Sequence, residues 1–200
     1  MARPKKQEAR RADLVEAALA AVSEHGLRSL SLADVATQAG LTRGAILYYY
    51  DDLDALLREA HRAGLERFCD RRDAVVAEIA EPQNQLAAAI REGLPSGPDD
   101  ALMRLLYEFD VLAGTSQLHD ELVERMYQRQ LATYTGVISR GVEAGVFTPP
   151  LPIEQLAMNL VALEDAYGLH IVAGNSLVTV ALAEAAMRAV ADNLGCPTVV

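Results

Sequence analysis

Residues 31–50 read SLADVATQAGLTRGAILYYY, and this stretch decides the fold. Ser31 fits the pattern of a helix N-cap because an acidic residue, Asp34, follows three positions later. The pattern predicts a short helix over Leu32–Ala39 that ends at Gly40, a residue suited to the left-handed backbone at a helix C-terminus.

A second short helix follows this glycine. Thr42 is its predicted N-cap, and we expect the helix to cover Arg43–Tyr49. Five small or apolar residues are spaced to pack the two helices together: Leu32, Val35, Ala36, Leu41 and Ile46. Two short helices joined by a tight turn indicate a helix-turn-helix, whose second helix enters the major groove of DNA.

The outer face of the second helix carries the side chains that such a motif needs for recognition. Arg43 is long enough to reach a guanine edge or a phosphate, while tyrosine hydroxyls donate to phosphates and their rings cover sugars or thymine methyl groups. The candidate DNA-binding residues, including a basic N-terminal arm, are Arg3, Lys5, Lys6, Arg10, Ser31, Thr42, Arg43, Gly44, Ala45, Tyr48 and Tyr49.

The charge is distributed unevenly along the chain, although the formal net charge of −10 argues at first against nucleic acid. Residues 1–50 contain seven Lys and Arg against five Asp and Glu, whereas residues 51–200 contain eleven against twenty-three. A basic arm before an acidic body fits a molecule that presents one end to DNA. A solvated tail without a partner fits the charge equally well.

The remainder of the chain has a helical period, and no stretch alternates as a strand would. A first helix is expected over Gln7–Glu24, with Leu14, Ala18, Ala21 and Val22 on one stripe, and a long fourth helix over Leu53–Glu78. Five further helices are predicted over Gln83–Gly93, Asp100–Gly114, Leu118–Gly145, Ile153–Ala173 and Leu177–Leu194. The sequence therefore predicts an all-α protein of about nine helices.

Several classes of protein are excluded by composition. No apolar run approaches the ~18 residues of a membrane-spanning helix, and the segment after the basic N-terminus is amphipathic rather than a signal peptide. The two cysteines, Cys69 and Cys196, are too few and too far apart for a disulfide framework. We expect a cytoplasmic protein with no membrane association.

Residues 8–68 resemble the TetR family of one-component transcription regulators. The resemblance rests on AALAAVSEHGLRSLSLADVATQAGLTRGAILYYY at 17–50, followed by LDALL at 53–57. It implies a three-helix DNA-binding head at 8–68 and, joined through helix 4, a helical ligand-binding and dimerisation domain at 69–200. It also implies a homodimer, most often a repressor, that binds a palindromic operator in double-stranded DNA. The dimer leaves the operator when a small-molecule effector binds.

Three residues of the head differ from the family pattern. The family usually has Tyr where Leu47 stands, Phe where Tyr50 stands and Lys where Leu53 stands, and its Tyr and Lys contact DNA phosphates. Our hypothesis is that the basic arm and Tyr48 or Tyr49 replace those contacts. Tyr50 is expected to pack inside the head.

The last two helices are apolar over most of their circumference, which predicts burial on more than one side. In the last helix only one narrow stripe, Glu184, Arg188 and Asp192, is charged. A second copy of the chain is the simplest cover, and the resemblance places the dimer interface on the same two helices. The candidate interface residues are Leu156, Leu160, Val178, Leu182, Met187 and Val190.

The effector site is predicted in the C-terminal helices, from large or polar groups on otherwise apolar faces. The candidates are Phe68, Met103, Tyr107, Tyr127, Tyr134, Asn159, Glu164, Tyr167 and His170. Glu164 or Asp165 is expected to be a buried carboxylate that pairs with a cationic ligand or with an arginine such as Arg104 or Arg125. The acidic, apolar body favours a hydrophobic or cationic effector. His61 is expected to be a hydrogen-bonded histidine at the end of the head.

Two other classes of function compete with this interpretation. An enzyme would need catalytic or metal-ligand spacings, and the sequence offers neither paired Glu-x-x-His motifs nor a Gly-rich phosphate loop, so we expect no catalytic residues, metal or cofactor. A helical module that binds protein, or an effector-binding protein that has lost DNA binding, is the alternative. A DNA-retention assay on the isolated head would distinguish a DNA-binding protein from these alternatives.

Overall fold

The computed structural model describes the backbone of residues 3–110, 114 and 117–198, and the side chains of those residues apart from 3–6, 117 and 118. Within this part of the chain the structure contains nine α-helices, one short 3-10 helix and no strand, which confirms the all-α prediction. None of the described helices is both long enough and apolar enough to cross a membrane.

The α-helices are α1 (Arg3–His25), α2 (Leu32–Ala39), α3 (Arg43–Leu47), α4 (Leu53–Ala77), α5 (Pro82–Gly93), α6 (Ala101–Asp110), α7 (Gln117–Glu143), α8 (Ile153–Val172) and α9 (Val180–Asn193). A 3-10 turn over Leu27–Ser29, which the sequence analysis did not anticipate, follows α1. The residue before this turn, Gly26, is its N-cap, and its φ of 72° is a backbone angle that favours glycine.

Most helix ends lie within two residues of the predicted ones. However, α1 starts at Arg3, four residues before the predicted Gln7, and the predictions for α3 and α9 were wrong by two or three residues. α3 ends at Leu47 rather than Tyr49 because Tyr48 and Tyr49 form the turn that leads into α4. α9 starts at Val180 rather than Leu177 because the hydroxyl of Thr179 accepts the amide hydrogen of Leu182 and caps the helix there.

The described helices form two compact units, and α4 contributes to both. The first unit contains α1 to α3, α4 up to Glu66, α6 and the start of α7 up to Val123. Its core is built where α1 packs against α2 and α6, and the predicted α1 stripe of Leu14, Ala18, Ala21 and Val22 is fully buried there. The domain boundary at 68/69 stays a prediction.

The second unit contains the rest of α4, α5, the rest of α7, α8 and α9. Its core is a continuous cluster in which α9 packs against α5 and α8. Leu156 and Leu160 of α8 and Met187 of α9 are at its centre, with no exposed surface.

His61 of α4, in the first unit, corrects one expectation. The residue is fully buried, but neither ring nitrogen has a hydrogen-bond partner among the described residues. Instead its ring stacks on Phe109 of α6, with 4.2 Å between the ring centroids and 4° between the planes. Burial and the nearby His119 therefore lower the pKa of His61 to about 4.

Candidate nucleic-acid interface and effector site

α2, the helix before α3, begins and ends at the residues that the sequence predicted. The hydroxyl of Ser31 accepts the amide hydrogen of Ala33 at 3.2 Å, and the carboxylate of Asp34 accepts the amide hydrogen of Ser31 at 2.8 Å. The Ser31 hydroxyl also donates to the Asp34 carboxylate, at 2.6 Å, and this bond together with the bond from the Ser31 amide lowers the pKa of Asp34. Gly40 then ends α2 with a φ of 62°, the left-handed conformation expected at this position.

α3 itself is short and is held by one cap and one buried side chain. The hydroxyl of Thr42 accepts the amide hydrogen of Ala45 at 3.2 Å, while Ile46 is fully buried against the rest of the first unit. Arg43 and Gly44, at the N-terminal end of the helix, are exposed. A Cβ atom at Gly44 would have only the Thr42 hydroxyl near it, at 4.0 Å, so the backbone here is open to a close partner.

The tyrosine run divides between surface and core. Tyr48 is 71% exposed and meets the ring of the half-buried Tyr49 edge to face, with centroids 5.0 Å apart. Tyr50 is 4% exposed, so the expectation that it packs inside the head is confirmed. Leu47, where the family has a phosphate-contacting tyrosine, is 48% exposed.

The basic arm continues into α1 rather than preceding it, since the helix begins at Arg3. The side chains of Arg3, Lys5 and Lys6 lie outside the described part of the structure. Arg10 is exposed and makes one ion pair with Asp13, at 3.4 Å. The residues among the candidates that present an exposed side chain or backbone are Arg10, Ser31, Thr42, Arg43, Gly44 and Tyr48, while Ala45 and Tyr49 are half-buried.

The effector candidates do not form one group. Met103 and Tyr107 are buried on α6 in the first unit. In the second unit Phe68, Tyr134 and Glu164 are buried, and Tyr167 is packed against the core. The remaining three, Tyr127, Asn159 and His170, lie on exposed helix faces.

Glu164 is the centre of a buried polar network in the second unit. Its carboxylate receives two hydrogen bonds from the guanidinium of Arg72, at 2.7 and 3.1 Å. The amide of Gln130 donates to it at 2.9 Å and the hydroxyl of Tyr134 at 2.7 Å. All four side chains are at least 96% buried, so the ion pair is shielded from water.

This network confirms a buried carboxylate at Glu164 but corrects its partner. We named Arg104 and Arg125 as possible partners, whereas the structure pairs Glu164 with Arg72. Arg72 follows Arg71 within an ordinary run of charged residues in helix 4, and only the packing distinguishes them: Arg71 is exposed and Arg72 is buried. The ring of Tyr134 lies 4.6 Å from the Arg72 guanidinium carbon, which adds a cation–π contact.

Asp165, the neighbour of Glu164, is the less well compensated acid. It receives one hydrogen bond from Gln130, at 3.3 Å. Burial and the negative charge of Glu164 raise the pKa of Asp165 to about 6. Two carboxylates and one guanidinium therefore leave this region with an excess of negative charge at neutral pH.

A groove of about 450 Å³ between α4, α5 and α7 was not predicted. Arg129, Thr133, Gly136 and Arg140 share one face of α7, and Asp73 closes the opposite wall. Arg129 pairs with Asp73 at 2.6 Å, and Arg140 donates to Gln85 at 2.9 Å. The spacing of four, three and four along α7 is the sequence signal that could have revealed this face.

The predicted interface residues are mostly core residues of their own chain. Leu156, Leu160 and Met187 are fully buried, so they have no surface left for a partner. Val178 and Val190 are half-buried, and Leu182 is 50% exposed. The apolar spacing of the two helices correctly predicted that these residues lie on apolar faces. It did not show which apolar face of each helix packs against the core of its own chain.

Both α8 and α9 nevertheless carry a stripe of exposed apolar residues. On α8 the exposed residues Met158, Ala162, Ala166 and Leu169 follow one another at helical spacing. On α9 the exposed residues Leu182, Ala185 and Ala189 do the same. We call these seven residues the α8–α9 face.

The family model described as "Bacterial regulatory proteins, tetR family" matches residues 14–60. The chain is 24% identical over 145 residues to an HTH-type transcriptional repressor, KstR2, of Mycobacterium tuberculosis, and the match covers 72% of each protein.

Solved structures share the fold over nearly the whole chain. A TetR transcription regulator from Haloarcula marismortui superposes with a TM-score of 0.84 at 24% identity, covering 94% of this chain and 98% of that one. A Saccharomonospora viridis protein described as a transcriptional regulator and solved in complex with choline gives the same TM-score at 23% identity, covering 92% and 96%. These similarities show that the chain shares the fold of the two proteins.

Proposed function

We propose that the chain is a DNA-binding transcription regulator of the TetR family, a homodimeric repressor which leaves a palindromic operator when a small molecule binds. The match of residues 14–60 to the family model and the similarity to the repressor KstR2 support this proposal. The observation that carries the proposal is the exposure of Thr42, Arg43 and Gly44 at the N-terminal end of α3, while Ile46 of the same helix is fully buried. The N-terminal end of the second helix is the part of a helix-turn-helix that contacts base edges in the major groove.

Sequence would be read chiefly by Arg43. A guanidinium at the N-terminal end of the recognition helix makes bidentate hydrogen bonds to the O6 and N7 atoms of guanine. Tyr48, with 71% of its surface exposed, is placed for a phosphate or a thymine methyl group, and Gly44 allows the backbone to approach. Arg3, Lys5, Lys6 and Arg10 would then bind phosphates of the same half-site.

Dimerisation through the α8–α9 face is supported by its composition. The seven exposed residues of this face carry no charge, and Met158, Leu169 and Leu182 are each about half exposed. Apolar patches of this kind on helices mark interfaces. A twofold dimer would present two copies of α3 to two half-sites.

The effector would bind in the second unit, and we propose that it is apolar or cationic. The buried Glu164 is already neutralised by Arg72, but Asp165 leaves a negative charge uncompensated in the same region. Choline, the molecule bound in the Saccharomonospora viridis neighbour, is a cation. The other candidate contacts, Phe68, Tyr134 and Tyr167, offer aromatic rings, which attract cations as well as apolar groups.

Selection of random duplex DNA by the purified protein tests the proposal. We expect enrichment of a palindrome whose half-sites are about 10 base pairs apart, or a little more. Addition of quaternary ammonium compounds or long-chain apolar compounds to the complex with that duplex should then identify the effector class by release of DNA. Release by small carboxylates alone would contradict the effector class without affecting the DNA-binding proposal.

An effector-binding protein that has lost operator binding is the second candidate. It is favoured by one observation: Leu47 and Leu53 replace the two phosphate-contacting residues of the family, and Asp51, Asp52 and Asp54 are exposed beside them. Acidic side chains near the phosphate backbone weaken binding. A folded dimer that enriches no DNA sequence would support this alternative and contradict the first.

A further inference from the structure

Arg11, the last basic residue of the arm, is 41% exposed along its side chain, but its guanidinium contacts other parts of the protein. One terminal nitrogen of its guanidinium, Nη1, donates to the backbone carbonyl of Tyr49 at 2.9 Å. The other, Nη2, forms an ion pair with the carboxylate of Glu59 on α4. The guanidinium carbon also lies 4.3 Å from the centre of the Tyr50 ring, whose hydroxyl donates back to the carbonyl of Arg11 at 3.4 Å.

These contacts join three elements of the first unit at the end of α3. Arg11 belongs to α1, Glu59 to α4, and Tyr49 and Tyr50 to the turn that leaves α3. α3 has only five residues, and so short a helix has no stability of its own. Its position must therefore come from contacts with its neighbours, and Arg11 supplies a set of them at its C-terminal end.

We propose that Arg11 and Glu59 form a clamp that positions α3 for operator recognition, and that Arg11 does not bind DNA phosphate. The inference rests on the proposed role of α3 as the recognition helix. The planar fork of a guanidinium donates to Glu59 and to the Tyr49 carbonyl at once while it stacks on Tyr50. A lysine ammonium keeps the charge but cannot make this flat, two-pronged contact.

Arg10 is a matched control because it carries the same charge one position earlier. Its side chain is exposed, and its ion pair with Asp13, at 3.4 Å, joins two side chains that are 45% and 66% exposed. The side chain of Arg11 is nearly as exposed, at 41%, so the two residues differ in their contacts rather than in their exposure. The guanidinium of Arg11 is engaged by Glu59, the Tyr49 carbonyl and the Tyr50 ring, whereas that of Arg10 is open to a phosphate. The two residues predict different kinds of loss when they are changed.

The experiment compares the full-length wild type with Arg10→Ala, Arg11→Lys and Glu59→Gln. The dissociation constant is measured for the selected operator and for an unrelated duplex, each over a range of salt concentrations. For Arg11→Lys we expect operator affinity to fall by roughly tenfold, the order of one lost base contact. Affinity for the unrelated duplex and the salt slope should stay at wild-type values, since the charge is kept.

The two other variants separate positioning from charge. Arg10→Ala should weaken both duplexes alike and reduce the salt slope by about one. Glu59→Gln removes a negative charge, so electrostatics alone would strengthen both complexes; the clamp predicts weaker operator binding beside unchanged or stronger binding to the unrelated duplex. Melting temperatures within about 5 °C of the wild type would show that the variants are folded.

Two results overturn the inference. One is wild-type operator affinity in both Arg11→Lys and Glu59→Gln. The other is an equal loss on both duplexes in Arg11→Lys, which would make residue 11 a phosphate contact. A wild type that prefers no duplex contradicts the proposed function instead, and this outcome is read before any variant is measured.

Discussion

At the scale of single residues, His61 shows how burial sets a titration. Its ring lies between α4 and α6 with no hydrogen-bond partner among the described residues, so protonation would place an uncompensated charge in the core. Its pKa is lowered to about 4, whereas a histidine in the unfolded chain titrates near 6.5.

His61 therefore makes the protein less stable in mild acid. The neutral ring contributes stability that is fully present above pH 6.5 and is lost as the pH falls towards 4, because only the unfolded chain binds the proton in that range. Between pH 7 and pH 5 we expect a loss of about 2 kcal/mol in the free energy of unfolding from this residue. His61→Leu should remove that loss, as measured by urea denaturation at both pH values. Equal pH dependence in variant and wild type would refute the assignment.

Asp165 has the opposite effect on the same measurement. Its folded pKa of about 6 is higher than the ordinary 3.8, so its extra stability is present below 3.8 and is lost as the pH rises through 6. Acidification from pH 7 to pH 5 thus stabilises the protein through Asp165. Between pH 7 and pH 5, the free energy of unfolding should therefore fall more steeply in Asp165→Asn than in the wild type. A shallower fall in the variant would show that Asp165 is not buried as described.

Sequence alone identified some of these residues and missed others for definable reasons. The capping box of Ser31 and Asp34 was predictable because cap hydrogen bonds are local in the chain. The ion pair of Arg72 with Glu164 was not, because it joins residues 92 positions apart and depends on how α4 packs against α8.

At the scale of helices, Gly93 shows how closely α5 approaches the buried network. A Cβ atom at this position would lie 2.2 Å from the Glu164 carboxylate and 2.8 Å from the Arg72 guanidinium. Since both groups are buried and hydrogen-bonded, neither can move without losing a contact.

Gly93→Ala should therefore destabilise the protein although alanine favours helix. We expect a loss of about 1–3 kcal/mol in the free energy of unfolding, measured by chemical denaturation. Gly136→Ala in α7 is the matched control, because the nearest atom to its Cβ is the flexible end of Arg140, at 3.4 Å. The control should be neutral or more stable by up to about 1 kcal/mol. A neutral Gly93→Ala would mean that α5 does not close the network.

Helix positions were predictable because the apolar period persists over many residues, whereas some helix ends were not. The start of α9 was placed too early because Leu177 continues the apolar pattern, although Thr179 provides the cap. The distribution of the effector candidates over two units was also beyond the sequence, since helical period does not tell which helices share a core.

At the scale of the whole molecule, binding to a palindromic operator requires a dimer, and the α8–α9 face is its proposed interface. The double variant Met158→Glu/Leu182→Glu places a charge on each helix of this face. Both residues are about half exposed in the single chain, so the fold should survive while self-association is lost.

Sedimentation equilibrium measures the outcome. We expect a dimer for the wild type and a folded monomer, with operator affinity weaker by at least tenfold, for the double variant. Val142→Glu is the control: this α7 residue is 39% exposed and lies outside the face, so the dimer should persist. A dimeric double variant would place the interface elsewhere.

Recognition of a specific DNA sequence by α3 is the central claim, and the most direct test is the specificity ratio of Arg43→Ala. The ratio divides the dissociation constant for an unrelated duplex by that for the selected operator, at one salt concentration. We expect the substitution to lower the ratio by a factor corresponding to about 1–3 kcal/mol. Affinity should fall for the operator alone, and sequence preference should be relaxed at one base position in each half-site. An unchanged ratio, or an equal loss on both duplexes, would show that Arg43 and the exposed surface of α3 do not read the DNA sequence.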